Sequence, residues 1–433
     1  MGQWLRTCDP DFEAGFTALL ATKREQAQDV DQAVAAILRD VRTRGDDALI
    51  ELTRRFDRHD LTADRLRLSD TEIEAAVADC PAEVRQSLAF AAARIEAYHC
   101  RQRPADERFT DEAGVELGHR WTPVEAAGLY VPGGLNAYPS SVLMNAIPAR
   151  VAGVSRIAMV VPTPDGLLDP QVVTAARIAG IDEIYRVGGA QAIAALAYGT
   201  ATIAPVAKIV GPGNAYVAAA KRQVFGTVGI DMIAGPSEIV ILADGDNDPE
   251  WMAADLLAQA EHDASAQSIL ITDSETLAKA VAAAVERQLE VLPRRELAGA
   301  SWNGFGAIIV VADLKHAISL IDRLAPEHLE IAAGEAEAEA LAANVRNAGA
   351  IFIGRFTPEA IGDYVAGPNH VLPTARTARF SSGLNLLDFM KRTSILKLDA
   401  EALRALAPHA VTLARAETLE AHARSITVRL ESK

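Results

Sequence analysis

Between residues 125 and 355 the chain alternates short apolar runs with alanine-rich stretches, and this alternation most constrains its fold. The apolar runs have the length of β-strands: Gly128–Val131, Arg156–Val161, Glu183–Val187, Glu238–Leu242, Gln267–Ile271, Ala307–Val311 and Ala350–Ile353. The alanine-rich stretches between them are Gln171–Ala179, Ala190–Tyr198 and Ala215–Phe225. Strand-sized runs that alternate with helical patterns predict an α/β fold with mostly parallel sheets.

The two ends of the chain have another pattern, which predicts helices. Residues 1–110 are rich in charge, and five apolar residues there fall on one helical face: Val30, Val34, Ile37, Leu38 and Val41. After Ser382 the pattern becomes helical again, most clearly over Leu403–Ala421. We therefore expect an α/β body between two helical ends.

Size and charge exclude several classes of protein. The 433 residues suffice for two to four domains. A net charge of −16 without any long block of Lys or Arg predicts no nucleic-acid partner. No apolar run approaches the roughly 18–20 residues that cross a bilayer, so no membrane association is expected. The N-terminus has early acidic residues and no signal-peptide pattern, which predicts a cytoplasmic protein.

The three cysteines, Cys8, Cys80 and Cys100, indicate neither disulfides nor a catalytic thiol. Their number is odd, and no two of them form a C-x-x-C pair. All three precede residue 101 and so lie apart from the glycine-rich and histidine-bearing segments. A thiol nucleophile is therefore disfavoured.

Four glycine-containing loops follow predicted strands within about a hundred residues. Their sequences are YVPGGLNAYPSS, RVGGAQA, IVGPGNAY and IAGPSE. Each alone could be an ordinary tight turn, but in open α/β sheets ligands bind at such strand ends. The dinucleotide fingerprint G-x-G-x-x-G is absent: Gly211-Pro212-Gly213-Asn214 comes close, but Tyr216 stands where the third glycine belongs. General motifs therefore leave nucleotide binding open.

Histidines and carboxylates later in the chain are candidates for a metal site. Gln259 and His262 share one face of a helix that Asp248 would cap and Pro249 would begin. Further candidates are Asp363, His370 and His422. Histidine and carboxylate groups are zinc ligands, yet each of these residues alone could equally pack in a core or cap a helix. Spacing in the sequence cannot bring them together.

Glu327 and His328, in the segment APEHLEI, are candidates for acid–base chemistry. In a regular strand their side chains would face opposite sides, so both could serve one site only where the backbone is a loop. A solvated pair at the entry to a strand is the alternative.

Eight long segments in this order resemble the histidinol dehydrogenase family, and the resemblance extends over nearly the whole chain. They are GLYVPGGLNAYPSSVLMNAIPA, YRVGGAQAIAALAYGT, KIVGPGNAYVAAAKR, DMIAGPSE, LLAQAEHD, APEHLEI, GDYVAGPNHVLPT and ARFSSGLNLLDFMKRTS. The resemblance implies two successive NAD-dependent oxidations of L-histidinol, through an aldehyde, to L-histidine, the last step of histidine biosynthesis. It also implies one zinc ion per subunit, which would hold the substrate.

The resemblance assigns a role to each candidate residue. The implied zinc ligands are Gln259, His262, Asp363 and His422. The implied acid–base pair is Glu327 and His328, with Glu327 activating the water that hydrates the aldehyde. The implied substrate contacts are Ser237, Gln259, His262, His328, Asp363, His370, Glu417 and His422. The implied NAD contacts are Tyr130, Gln191 and Asn214.

The resemblance also implies an architecture. We expect two incomplete, divergent Rossmann-like α/β domains with small helical terminal segments that exchange across a homodimer. The expected limits are 1–24 for an N-terminal dimerisation segment, 25–129 with 239–383 for a discontinuous domain with the zinc and catalytic residues, 130–238 for the NAD domain, and 384–433 for a C-terminal segment. Glu417 and His422 would then complete the partner subunit's site.

Three other functions are consistent with parts of this pattern. A relative of the same fold could oxidise another polar alcohol, although His370 and Glu417 argue for the imidazole substrate. A zinc hydrolase could use His262, Asp363 and Glu327, and it would turn over without NAD. A catalytically silent nucleotide- or metal-binding protein would not need the Glu327–His328 pair.

Overall fold

The computed structural model describes residues 2–22, 29–133, 138–233 and 235–431. In chain order the strands are β1 (Gln3–Arg6), β2 (Glu107–Thr110), β3 (Glu116–Pro123), β4 (Ala126–Tyr130), β5 (Arg156–Val160), β6 (Glu183–Tyr185), β7 (Lys208–Val210), β8 (Gly229–Ile230), β9 (Glu238–Ala243), β10 (Gln267–Thr272), β11 (Ala307–Val310), β12 (His328–Ala332), β13 (Ala350–Ile353) and β14 (Met390–Lys397). The helices are α1 (Phe12–Ala21), α2 (Asp29–Arg44), α3 (Asp46–Asp57), α4 (Asp70–Asp79), α5 (Ala82–Cys100), α6 (Pro139–Ala152), α7 (Pro170–Ala179), α8 (Gly189–Tyr198), α9 (Ala215–Val224), α10 (Pro249–Ala260), α11 (Glu275–Leu289), α12 (Arg295–Phe305), α13 (Leu314–Leu324), α14 (Glu335–Ala342), α15 (Glu359–Tyr364), α16 (Ala400–Ala416) and α17 (Glu420–Leu430).

The first sheet has the strand order β1-β11-β10-β9-β12-β13 in the described chain, and every pair in it is parallel. Residues of β9 alternate between two cores. Val240 and Leu242 pack with helices α1, α13 and α14, whereas Ile239 and Ile241 pack with α10, α11 and α12. Because helices cover both faces, the strand is apolar from Ile239 to Ala243, as expected for a parallel sheet.

The second sheet is also parallel and has the order β6-β5-β4-β7-β8. Helices α4 to α7 pack on one face of it and helices α2, α3, α8 and α9 on the other. The described helices of residues 29–100 therefore lie on this sheet, because their apolar faces join its two cores. The resemblance groups residues 25–129 with 239–383 instead, and those domain limits stay a prediction.

The strands expected from the apolar runs are confirmed, but the ends of the chain are not purely helical. Strand β1 pairs with β11 in register Gln3 to Ala307, so the prediction of helices alone over residues 1–110 is wrong there. Strands β2, β3 and β14 form a third, antiparallel sheet. Strand β14 thus lies in the region after Ser382 that was expected to be helical.

The prediction of one helix over Leu403–Ala421 is also wrong. Helix α16 ends at Ala416, and α17 begins at Glu420. Between them Thr418 has a φ of 61°, a left-handed conformation that ends an α-helix. Within the described residues, no helix is both long and apolar enough to cross a membrane.

The connection between the two parallel sheets determines which of their edges meet. Residues 231–237 lead from the carboxyl end of β8 directly to the amino end of β9. So short a link holds the carboxyl edge of the second sheet near the amino edge of the first. A side-chain contact between these edges agrees: the Ser141 hydroxyl, at the start of the helix after β4, lies 3.3 Å from Nε2 of His370.

Candidate active site

Gln259 and His262 lie at the carboxyl end of α10, where the chain turns toward the amino end of β10. The predicted start of this helix is confirmed, because the Asp248 side chain accepts a hydrogen bond from the Glu250 amide at 2.8 Å and Pro249 is the first helical residue. Nε2 of Gln259 lies 3.2 Å from Nδ1 of His262. Gln259 is fully buried, and its Oε1 atom has no hydrogen-bond partner among the described residues.

Glu327 and His328 lie at the entry to β12, and both side chains reach the same side. The strand begins at His328, and Glu327 lies in the bend before it. The side chain of Glu327 therefore need not point to the opposite face from that of His328, as it would in a regular strand. Oε2 of Glu327 is 3.7 Å from Nδ1 of His328. The two residues are only 6% and 4% exposed, so the alternative of a solvated strand-entry pair is wrong.

The backbone of Glu238, on the neighbouring strand, fixes both side chains of this pair. Its amide donates a hydrogen bond to Oε2 of Glu327 at 2.9 Å, and its carbonyl oxygen lies 3.0 Å from Nδ1 of His328. Because a carbonyl can only accept, Nδ1 of His328 carries the proton and donates it. Nε2 then bears the lone pair, and it has no hydrogen-bond partner in the described chain.

Burial keeps His328 uncharged. It lowers the pKa of His328 to about 4, against the opposing effect of the Asp363 carboxylate and the hydrogen bond to Glu238, while the nearby histidines 262 and 370 lower it further. At neutral pH the imidazole is therefore neutral, and its free Nε2 can accept a proton.

Helix α15 brings Asp363 and a second carboxylate, Glu359, to His328. Oε1 of Glu359 lies 3.5 Å from Nε2 of His328, and the nearest ligand atoms of His328, Glu359 and Asp363 all lie within 4.8 Å of one another. Burial, and then the Asp363 carboxylate, raise the pKa of Glu359. Nothing in the sequence marks Glu359 as a site residue, because an acidic residue after a proline at a helix start is ordinary.

A second pair of acids lies behind this cluster. Oε1 of Glu330 accepts a hydrogen bond from the Glu359 amide at 2.5 Å. Burial raises the pKa of Glu330 well above its usual range, and the neighbouring Asp255 raises it further. Burial also raises the pKa of Asp255 to about 6. At neutral pH the two carboxyl groups therefore share at least one proton. This pair joins α10, which carries Gln259, to the start of α15.

His370 and Ser237 lie at the border of the same region. Nδ1 of His370 contacts the backbone oxygen of Asp363 at 2.9 Å and lies 3.7 Å from its Oδ1 atom. Ser237 directly precedes Glu238, and its carbonyl oxygen accepts a hydrogen bond from the Gln267 amide at 3.0 Å. Residues far apart in sequence thus meet at the amino edge of the first sheet.

Glu417 and His422 are not brought to this region by the single chain. Both are exposed, and they flank the break between α16 and α17. In the part of the chain that the structure describes, neither side chain forms a hydrogen bond or ion pair with another predicted site residue. Several apolar side chains of the same C-terminal region are exposed: Leu396, Leu406, Leu413, Leu419 and Val428.

The glycine loops meet at the carboxyl edge of the second sheet. The Tyr130 hydroxyl accepts a hydrogen bond from the Gly189 amide at 3.1 Å, which ties the end of β4 to the start of α8, where Gln191 is buried. Ideal Cβ atoms on Gly133 and Gly188 would lie 2.6 and 2.4 Å from Pro162, so only glycine fits at these contacts. Residues 134–137 and 234 of these loops lie outside the described residues.

Asn214 begins α9 at the same edge. Its Oδ1 atom accepts hydrogen bonds from the amides of Tyr216 and Val217 at 3.1 and 3.2 Å, and the residue is exposed. Tyr130, Gln191 and Asn214 therefore come from three loops that meet along one edge.

The donors on α10 and α15 fit a zinc ion. An amide oxygen, an imidazole nitrogen and a carboxylate oxygen are borderline to hard ligands, and three protein ligands leave positions open for substrate. Among the residues that the structure describes, none donates a hydrogen bond to the fully buried Oε1 of Gln259, and a bound cation would supply that partner. The tighter group of His328, Glu359 and Asp363 shares only Asp363 with the expected set.

Fold and site together define a class of protein. Two parallel sheets meet edge to edge, with a buried neutral histidine and several carboxyl groups on one edge and glycine loops on the other. These are the features of an α/β enzyme with acid–base groups beside a cluster of possible metal ligands.

Comparison with known proteins identifies the family within this class. The model of the family described as histidinol dehydrogenase matches residues 20–430. The histidinol dehydrogenases of Ruegeria pomeroyi and Rhodospirillum rubrum are 64% and 65% identical over 431 and 427 residues, which cover 100% and 98% of this chain and 99% and 98% of theirs. The crystal structure of histidinol dehydrogenase from Elizabethkingia anophelis matches with a TM-score of 0.94 at 36% identity, covering 99% of this chain and 98% of that one.

The chain belongs to the histidinol dehydrogenase family. The resemblance and the α/β fold with parallel sheets are confirmed, and so is the prediction of a histidinol dehydrogenase, an oxidoreductase of histidine biosynthesis.

Proposed function

We propose that this protein oxidises L-histidinol to L-histidine in two successive NAD-dependent steps, at a site that holds one zinc ion. The observation that carries the proposal is the pair at the entry to β12: a buried, neutral His328 with a free Nε2 beside the Glu327 carboxyl group. A base and a second carboxyl group in one dry site are what an alcohol oxidation followed by an aldehyde hydration requires.

Gln259, His262 and Asp363 would hold the zinc, together with the partner subunit's His422. When bound, zinc supplies a Lewis acid that holds and orients the amino alcohol. The buried, unpaired Oε1 of Gln259 supports this assignment. The free Nε2 of His328 then remains available for proton transfer, which is why we do not assign it as a ligand.

In the first oxidation Nε2 of His328 removes the hydroxyl proton of the alcohol. Bound NAD would supply the acceptor for the hydride that leaves the carbon bearing this hydroxyl group. The carbonyl oxygen of Glu238 stabilises the resulting imidazolium, because Nδ1–H keeps donating to it while charge develops on the ring. The product is the aldehyde, and the imidazole must lose its proton before it can act again.

In the second oxidation Glu327 removes a proton from water, and the water oxygen adds to the aldehyde carbon. The former carbonyl oxygen takes up that proton, which gives a diol. His328 then takes a hydroxyl proton while a second hydride leaves. The overall change consumes one alcohol, one water and two NAD, and it yields one carboxylate, two NADH and three protons. Cys8, Cys80 and Cys100 belong to the turn after β1, the α4–α5 junction and the end of α5, away from this pair. Water thus replaces a thiol nucleophile.

Tyr130, Gln191 and Asn214 would contact NAD at the carboxyl edge of the second sheet. The helices α8 and α9 begin at this edge, and helix N-termini favour the anionic pyrophosphate of a dinucleotide. The close glycine packing at Pro162 and Tyr130 supports the proposal, because it brings backbone amides together where a ligand can approach. A cytoplasmic location fits the need for NAD.

We further propose a homodimer in which Glu417 and His422 of each subunit complete the partner's site, with Ser237, His370 and Glu417 contacting histidinol. The exposed apolar side chains along β14, α16 and α17 support a partner-bound C-terminal region, since monomers rarely expose such patches.

A mixture of two inactive variants tests the shared site. His328→Asn and His422→Ala should each be inactive alone. Unfolded and refolded together in equal amounts, they should regain about a quarter of wild-type activity, because half of the dimers then contain one intact site. No recovery, with mixed dimers shown by mass spectrometry, would mean that His422 acts within its own subunit.

The first test of the activity itself is NADH formation from L-histidinol and NAD by the purified protein. We expect two NADH per histidinol, loss of activity with a chelator and recovery with zinc. Turnover that needs zinc but no NAD would support a hydrolase instead. Absence of NADH with zinc and dimer intact would indicate another alcohol as substrate, and a panel of amino alcohols and diols would identify it.

A further inference from the structure

The loop of residues 211–214 is held by a buried ion pair that the proposed chemistry does not use. Lys221 on α9 and Asp231 after β8 are in contact through Nζ and Oδ1, and their side chains are only 3% and 0% exposed. Nζ of Lys221 also donates a hydrogen bond to the carbonyl oxygen of Gly211 at 3.0 Å. Oδ2 of Asp231 accepts one from the Gly211 amide at 2.8 Å.

The amide and the carbonyl group of Gly211 are therefore both hydrogen-bonded by the same ion pair. Gly211 has a φ of 111°, and an ideal Cβ there would lie 2.1 Å from the Tyr130 carbonyl oxygen. The conformation is open to glycine alone, and it packs the loop against the end of β4. A glycine with this freedom needs outside contacts to hold one conformation, and the ion pair supplies them.

Stability alone does not explain this pair. Burying two charges costs desolvation energy, and apolar residues of similar volume serve stability as well or better. Apolar residues cannot, however, donate to the Gly211 carbonyl or accept from its amide. What the pair provides is thus the geometry of the loop.

The same aspartate also begins the connection to the first sheet. Oδ1 of Asp231 accepts a hydrogen bond from the Met232 amide at 2.7 Å, and residues 231–237 lead on to Glu238. A single side chain therefore fixes the loop before Asn214 and the start of the link toward the acid–base pair.

We propose that Lys221 and Asp231 are positioning residues for the dinucleotide. By fixing Gly211 they hold the loop 211–214 and the start of α9 in the conformation that receives NAD. This inference rests on the proposed NAD-dependent function.

Two double variants remove the pair without leaving a lone buried charge. Lys221→Met/Asp231→Leu removes every contact with Gly211, whereas Lys221→Met/Asp231→Asn keeps an oxygen acceptor for the Gly211 amide. We expect the dissociation constant for NAD, measured by calorimetry, to rise on the order of tenfold or more in the first variant and less in the second, because small displacements of positioning groups are costly. Histidinol affinity and zinc content should change little.

Lys208→Met is the matched control. This lysine lies on β7, only three residues before Gly211, and its Nζ is 3.2 Å from Oδ1 of Asp388. It should leave NAD affinity unchanged. Hydrogen–deuterium exchange gives a readout without NAD: peptides covering residues 208–214 should exchange faster in the double variants only.

Unchanged NAD affinity and unchanged exchange in a folded double variant would overturn the positioning role. If Lys221→Met/Asp231→Leu fails to fold, NAD affinity and hydrogen–deuterium exchange of Lys221→Met/Asp231→Asn test the positioning role instead. Failure of the proposed function has another signature, namely a wild-type protein that forms no NADH from histidinol; the NAD titrations would still decide the role of the ion pair.

Discussion

Replacing His328 by asparagine tests the assignment of the base with little change to the site. The asparagine amide can occupy the position of Nδ1 and donate to the Glu238 carbonyl, which accepts at 3.0 Å in the wild type. Nε2, the atom without a partner, disappears. Proton transfer by a positioned base contributes about 10²- to 10⁴-fold to a rate. Each tenfold corresponds to about 1.36 kcal/mol, so the barrier should rise by about 3–5 kcal/mol.

The assay is turnover with saturating histidinol and NAD, together with zinc content and histidinol affinity. We expect zinc and histidinol binding close to wild type, because the imidazole is a base and not a ligand in this scheme. His316→Asn is the matched control, since that histidine is exposed and its ring contacts Asp313, the residue before its own helix. It should retain full activity.

The pH profile gives an independent check of His328. Burial lowers its pKa to about 4, so the free enzyme should take up a proton there only near that pH. As the pH falls from 8 to 5, this residue should cause no loss of kcat/KM. Wild-type zinc with more than about a tenth of wild-type turnover would refute the base assignment. Loss of zinc from the variant would instead make His328 a ligand.

Three further predictions address the metal site, a buried histidine and the glycine loops. Gln259→Leu should lose zinc by mass spectrometry while staying folded, because it removes the unpaired amide oxygen; full zinc content would exclude Gln259 as a ligand. Burial lowers the pKa of His99 from 6.5, so protons bind the unfolded chain first as the pH falls below 6.5 and favour unfolding. In urea titrations at pH 7.5 and 5.5, His99→Met should therefore lose less stability than wild type; equal losses would contradict this. Gly188→Ala would place Cβ 2.4 Å from Pro162, and it should raise the KM for NAD but not for histidinol; an unchanged KM for NAD would argue against a cofactor role for that loop.

The predictable part of the fold is the part that is buried on both sides. Strands β9 and β10 are buried at every residue, and each contains an apolar run, Ile239–Ala243 and Ile269–Ile271, that can be recognised without further context. Strand β2 is exposed at every residue, and β14 is exposed at most of its residues, so no pattern marks them. These strands exist because they pair with β3, which sequence periodicity cannot reveal.

The sequence indicates which side chains are candidates for the site, but it does not indicate the backbone groups that orient them. The residue types at positions 259, 262, 328 and 363 indicate possible metal ligands and a possible base. Only the resemblance to the family places them in one site. The two groups that orient His328 and Glu327 are the amide and carbonyl of Glu238, and any residue there would carry them. The sequence also gives no sign that Glu359 belongs to this region, because its burial beside His328 depends on how α15 packs.

The opposed edges of the two sheets explain how the proposed site could receive ligands of opposite charge. At the amino edge of a parallel sheet the preceding helices present their C-termini, which favour cations, and α10 ends there at Ala260 beside His262. At the carboxyl edge the following helices present their N-termini, which favour anions, and α9 begins there after Asn214. The contact between Ser141 and His370 shows that these two edges are neighbours. A zinc-held alcohol and the pyrophosphate of NAD would then each lie against helix ends of the favourable sign, with the hydride donor and acceptor between them.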